Sequence, residues 1–164
     1  PGAGVQAMKP VRVVTPGSAF SLPLRMVAAG TGAETALKTL ANDGHRLAVC
    51  TNKTERLAIL LLEKLGVAHQ FKAICGRDSF AYQKPDARHL TATIAKAGGL
   101  AHHAIMIGDT RTDIDTARNA KLPVIGVRFG YSDTPIDTLM PDLLIDHFNE
   151  LNAAVKSLTS TTVR

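Results

Sequence analysis

Ala104-Ile105-Met106-Ile107-Gly108-Asp109-Thr110-Arg111-Thr112-Asp113 joins a short apolar run to a polar turn and then to residues suited to the start of a helix. The run has the length and character of a strand, and Gly108 lets the chain leave it sharply. Thr112 reads as an N-cap, with Asp115 three residues on in the capping-box position, for a helix ending near Asn119. A strand, a tight turn and a helix in this order make a βα unit. Repeated units of this kind build a parallel sheet covered by helices.

The same grammar repeats on either side. Leu37, Leu40 and Ala41 fall at helical spacing in a helix over Glu34 to Asp43, with Gly44 as its stop. Arg46 to Cys50 follows as a strand. Thr54 to Leu65 reads as a second helix, capped by Thr54 and apolar on most faces, so the run Ile59-Leu60-Leu61-Leu62 is expected in the core. Phe71 to Cys75 is a strand. Pro85 suits the first turn of a helix running through Leu90 and Ile94 to Gly98-Gly99. Val124 to Val127 and Leu143 to Ile145 are further strands, and Phe148 to Leu158 is a closing amphipathic helix.

Residues 1–31 lack this pattern and carry no acidic residue; they are expected to be loosely ordered, with Val11-Arg12-Val13-Val14 able to form a strand that Pro16-Gly17 stops at once. The expected organisation is therefore an atypical segment over 1–31, a core over 32–158 and a tail over 159–164.

With 164 residues and 45% hydrophobic side chains, the chain can bury the core of one domain. The apolar stretch from Ala19 to Ala29 contains Pro23 and Arg25 and falls short of the roughly 20 residues that a membrane helix requires. No membrane association is expected. The net charge of +5 is concentrated at the start: residues 1–42 hold Lys9, Arg12, Arg25 and Lys38 against Glu34 alone. Beyond them the charges nearly balance, and with only 4% aromatic residues there is little for bases to stack on, so no nucleic-acid partner is expected. Cys50 and Cys75 sit in apolar contexts outside any CxxC pair, which suits buried thiols in a reducing cytoplasm.

Ligands of parallel α/β sheets sit beyond the carboxyl ends of the strands. Thr51-Asn52-Lys53 follows the first core strand and precedes a helix whose N-terminal N–H groups and dipole favour an anion. Those residues serve equally well as a turn and cap. Lys84, fixed ahead of Pro85, can neutralise a transferring phosphoryl group, although most lysines are solvated surface groups. Asp109 and Asp113, four residues apart at a strand end and a helix start, can face one point as hard oxygen ligands for Mg²⁺. Asp115 is read as a first-turn carboxylate that complements the helix dipole. Gly30-Thr31-Gly32-Ala33-Glu34-Thr35 only begins like a dinucleotide fingerprint, and His102-His103 is expected in an exposed turn.

Taken in order, Leu47 to Lys53, Lys84-Pro85-Asp86 and Gly108 to Asp113 resemble the second, third and fourth motifs of the haloacid dehalogenase superfamily. Gly44-His45-Arg46 and Val127-Arg128-Phe129-Gly130-Tyr131 resemble its phosphoglycolate phosphatase branch. The resemblance implies a Rossmann-like core and Mg²⁺-dependent hydrolysis of a small phosphomonoester through an aspartyl-phosphate. By the same resemblance Thr51 and Asn52 hold the phosphoryl group and Lys84 stabilises its charge. Asp109 ligates Mg²⁺, and Asp113 supports the metal or orients Lys84. A small phosphorylated substrate is the implied partner, for a monomer or a dimer.

The family's first motif carries two aspartates, a nucleophile and a general acid–base, one residue apart after its first strand. No aspartate precedes Asp43 here. If Val11 to Val14 stands in for that strand, Thr15 and Gly17 occupy the two positions. The span from Thr15 to Gly32 also leaves no room for the helical cap of the branch. The expectation is a truncated phosphatase core with little or no turnover; a phosphate or Mg²⁺ binding module without catalysis is the alternative. The parallel sheet is expected to be incomplete, without the family's central first strand, and strand edges exposed there predict low stability or dimerisation.

Overall fold

The structure, a computed structural model, describes residues 11–14, 32–130 and 132–161. Six strands form one sheet: β1 (Val11–Val14), β2 (Arg46–Cys50), β3 (Phe71–Cys75), β4 (Ile105–Gly108), β5 (Val124–Val127) and β6 (Leu143–Ile145). The helices are α1 (Ala33–Asn42), α2 (Glu55–Lys64), α3 (Ala87–Lys96), α4 (Arg111–Asn119) and α5 (Leu151–Thr161). The strand order is β3-β2-β1-β4-β5-β6, and each neighbouring pair is parallel.

The central place in the sheet is therefore filled. Val13 of β1 pairs with Ala48 on one side and Met106 on the other. This corrects the expectation of an incomplete sheet with exposed edges beside β2 and β4, and of a loosely ordered start for these four residues, because β1 pairs with both neighbours. The rest of residues 1–31 lies outside the described residues.

Strand residues point alternately to the two faces, and this separates two cores. Ala48, Cys50, Met106 and Val124 pack with Leu90, Ile94 and Ile114 of α3 and α4. Leu47, Ile105, Ile107 and Ile125 pack on the opposite face with Leu37 and Leu40 of α1 and Leu151 and Val155 of α5. Apolar residues fill β2 and β4 nearly end to end because both faces are covered.

Several local expectations shift. α2 is not buried on most faces: Ala58 and Leu62 are its buried residues, whereas Leu57 and Leu60 are 58% and 50% exposed. An apolar run cannot reveal which residues an outer helix turns inward when only one stripe meets the sheet. Thr54 stands at the N-cap of α2 but makes no side-chain capping bond. Pro85 precedes α3, whose N-cap is Asp86, accepting from the Arg88 N–H. The capping box of α4 lies two residues earlier than expected, formed by Thr110 and Asp113. α5 extends to Thr161 after a short 3₁₀ turn over Phe148–Glu150, past the expected core limit at 158. No helix among the described residues is long and apolar enough to cross a membrane.

Truncation inside the sandwich should cost far more than truncation on the outer face of α2. Ile94→Ala, at a fully buried side chain, should lower stability by about 2–5 kcal/mol. Leu60→Ala should change it by about 0.5 kcal/mol or less. Urea denaturation of both variants checks this ranking, and equal losses would contradict the exposed face of α2.

Candidate functional site

Strand order reverses between β1 and β4, the topological switch point of such a sheet, and the loops leaving the strands there are where a ligand site forms. Val14 lies beside Val49 and Ile107, so β1 ends at the edge of the sheet where Thr51 and Asp109 stand. Thr15 and Gly17 lie outside the described residues.

Three loops converge at this edge through buried polar groups. Lys84, from the loop before α3, places its Nζ 2.6 Å from Asp113 Oδ1, and both side chains are about 1% exposed. The second oxygen of Asp113 accepts from the backbone N–H of Asp109 (3.2 Å), the backbone N–H of Thr110 (3.1 Å) and the Thr110 hydroxyl (2.8 Å). Asp113 thus ties Lys84 to the turn that carries Asp109, itself buried. Asn52 completes the set from the β2 loop: its Nδ2 donates to Lys84 O at 3.0 Å, and Lys84 N–H donates to its Oδ1 at 3.1 Å.

Two glycines permit this density. A Cβ on Gly108 would fall 2.3 Å from the Cβ of Asp113, and one on Gly130, in the loop after β5, would fall 2.0 Å from the Cβ of Asp109. Neither position has room for a side chain. The Gly130 contact is a site feature that sequence reading missed, although Gly130 lies in the Val127-to-Tyr131 stretch that resembles the phosphatase branch.

Thr51 is buried, and its Oγ1 accepts from the Lys53 N–H at 3.2 Å, so it turns the chain as one of the two sequence readings expected. The start of α2 is less open to an anion than its position suggests, because the first helical N–H, that of Glu55, donates to Asp78 Oδ1 at 2.7 Å. Asp115 stands outside the cluster. Among the described residues, no group of three or more His, Cys, Asp or Glu side chains gathers as a metal site.

Beneath the loops lies a buried polar residue that the sequence reading did not single out. His89 Nε2 meets Gly76 O at 3.0 Å and Nδ1 meets Cys50 Sγ at 3.5 Å. A proton on Nε2 satisfies the carbonyl and leaves Nδ1 to accept from the thiol. Burial holds the His89 pKa below its ordinary value, against the Gly76 carbonyl that raises it. Burial also pushes the Cys50 thiol up to about 11. Its one legible signal was the four-residue spacing to Thr93, which places both on the inward stripe of α3. Cys50 and Cys75 are free thiols, both buried.

Comparison with known proteins gives the family and the fold. Residues 21–127 match the family described as haloacid dehalogenase-like hydrolase. The chain is 55% identical over 119 residues to a phosphoglycolate phosphatase of Agrobacterium fabrum, covering 73% of this chain and 51% of that protein. It is 41% identical to a phosphoglycolate phosphatase of Caulobacter vibrioides, over 76% of this chain and 53% of the other. Among solved structures, a predicted phosphoglycolate phosphatase from Haemophilus somnus superposes with a TM-score of 0.71 at 28% identity, covering 75% of this chain and 55% of that one. The chain spans about half the length of the curated relatives it matches.

Because the folded state disfavours a charged His89, the unfolded chain takes up that proton first as pH falls. The His89 contribution to stability is thus complete above its ordinary pKa of about 6.5 and is lost progressively below it, with a slope of at most about 1.4 kcal/mol per pH unit. Chemical denaturation of wild type and His89→Gln between pH 8 and pH 5 should show a shallower acid loss in the variant. Parallel curves would place the acid sensitivity elsewhere.

Proposed function

Since the chain belongs to the haloacid dehalogenase-like hydrolases, we propose that the convergence of Thr51, Lys84 and Asp109 is a phosphoryl site of the phosphoglycolate phosphatase type, binding a small phosphomonoester together with Mg²⁺. The observation that carries this reading is the buried Lys84–Asp113 pair at the switch point of the sheet. An ammonium fixed there, away from water, gives a dianion a localised positive partner. In this reading the Thr51 hydroxyl donates to a second phosphoryl oxygen.

Asp109 supplies one hard carboxylate, a donor type that fits Mg²⁺, which commonly takes one or two carboxylates and completes its shell with water and phosphate. When bound, the ion neutralises phosphoryl charge. In this reading Asp113 is not a metal ligand, because its two oxygens are engaged by Lys84 and by the donors of the Asp109-Thr110 turn. It orients Lys84.

Thr15 and Gly17, the residues that follow β1 in the positions of the family's paired aspartates, offer no carboxylate to attack phosphorus or to move a proton. The chain is accordingly read as binding its ligand with little or no turnover, in a reducing compartment where Cys50 and Cys75 stay thiols.

Purified protein should release no phosphate above background from 2-phosphoglycolate or p-nitrophenyl phosphate in Mg²⁺. In Mg²⁺ it should bind inorganic phosphate saturably by calorimetry, with affinity reduced about tenfold or more in Lys84→Met, which loses a charge-assisted contact, and in Asp109→Asn, which loses a charged metal ligand. Turnover abolished by both substitutions would overturn the inactive reading. Absence of phosphate binding in folded protein would overturn the site itself.

A further inference from the structure

Asn52 stands 32 residues from Lys84, and its side chain spends both an acceptor and a donor on the Lys84 backbone. Lys84 lies between β3 and α3, outside any strand or helix, yet it is only 2% exposed. A buried backbone N–H and C=O need partners, and here no ladder or helical turn supplies them. The carboxamide of Asn52 pairs with both groups, as a neighbouring strand would. Its orientation is set by that reciprocity, since only one placement puts nitrogen against the carbonyl and oxygen against the N–H.

We propose that Asn52 is a positioning residue, a clamp on the Lys84 backbone that keeps the lysine ammonium on Asp113 at the phosphoryl site. The lysine stem has four carbons and many rotamers. Holding its head fixed requires an anchor at each end. Asp113 anchors the ammonium and Asn52 anchors the backbone, so the charge sits at one place before any ligand arrives. The role differs from the direct phosphoryl contact expected of Asn52 from its motif, because both polar atoms of the amide already face Lys84. No other common side chain of this length serves: aspartate brings an oxygen against the Lys84 carbonyl, and leucine or alanine satisfies neither group.

The functional meaning of the clamp rests on the phosphoryl reading, but its geometry can be tested without a ligand. In protein labelled with ¹⁵N-lysine, the Lys84 ammonium should give a side-chain resonance protected from solvent exchange, assigned by its loss in Lys84→Arg. Asn52→Ala and Asn52→Asp should broaden or abolish it while retaining a cooperative thermal transition. An unchanged resonance in both variants overturns the clamp.

Phosphate binding in Mg²⁺ then separates positioning from direct contact through a cycle of Asn52→Ala, Lys84→Met and the double variant. A clamp predicts at least a tenfold loss in Asn52→Ala and a double variant within about threefold of Lys84→Met alone. Losses that multiply mean that the amide touches the anion itself, and they overturn the proposal. If wild type binds no phosphate, the phosphoryl reading falls and the ammonium resonance alone decides the clamp.

Discussion

The ion pair between Lys84 and Asp113 is the constraint around which this end of the molecule is organised. Two charges withdrawn from water at 2.6 Å are costly unless their remaining hydrogen-bonding capacity is met. The fold meets it for the carboxylate, since the Asp109-Thr110 turn, which includes the N-cap of α4, donates three hydrogen bonds to Asp113, while Asn52 satisfies the buried Lys84 backbone. Replacing a buried ion pair by apolar residues of similar volume is often neutral or stabilising. What the charges add is a fixed ammonium at the switch point of the sheet, and fixed charge of this kind suits the recognition of a phosphoryl group.

The sheet supplies the rigidity that such a pair demands. β2 and β4, whose ends carry Thr51 and Asp109, flank β1 in parallel register and are covered on both faces by helices. Gly108 and Gly130 bring the adjoining loops closer than any side chain would allow. Asp109 is thereby enclosed by the β5 loop, and Asp113 by the β4 exit. Polar convergence and close packing are the same structural feature here, because backbone N–H groups can reach Asp113 only where no Cβ intervenes.

Elements whose information is local were legible in the residues. β2, β3, β5 and β6 follow short apolar runs bounded by turns, and Gly44, at φ 87°, ends the first helix where its left-handed conformation predicts. Thr51, Lys84, Asp109 and Asp113 stood out because they follow strands or open helices, and the structure brings them to one edge. Other details depended on distant neighbours. The N-cap of α4 is Thr110 and not Thr112 because the Asp113 carboxylate folds back onto the turn. The outer face of α2 is exposed while Ala58 and Leu62 are buried, and an isolated apolar run cannot say which side is covered.

The amino-acid sequence by itself determined the alternation of strands and helices, the family to which the motifs belong, and the identity of the residues that reach the site, since periodicity, turn chemistry and motif order are properties of neighbouring residues. Only the tertiary structure decided the division of labour among them. It placed Val11–Val14 at the centre of the sheet, engaged Asp113 with Lys84 and the Asp109-Thr110 turn, and turned the Asn52 amide onto the Lys84 backbone. Each of these depends on contacts between residues about 30 or more apart, or on which donors surround a buried carboxylate, and such contacts exist only when the chain has closed on itself.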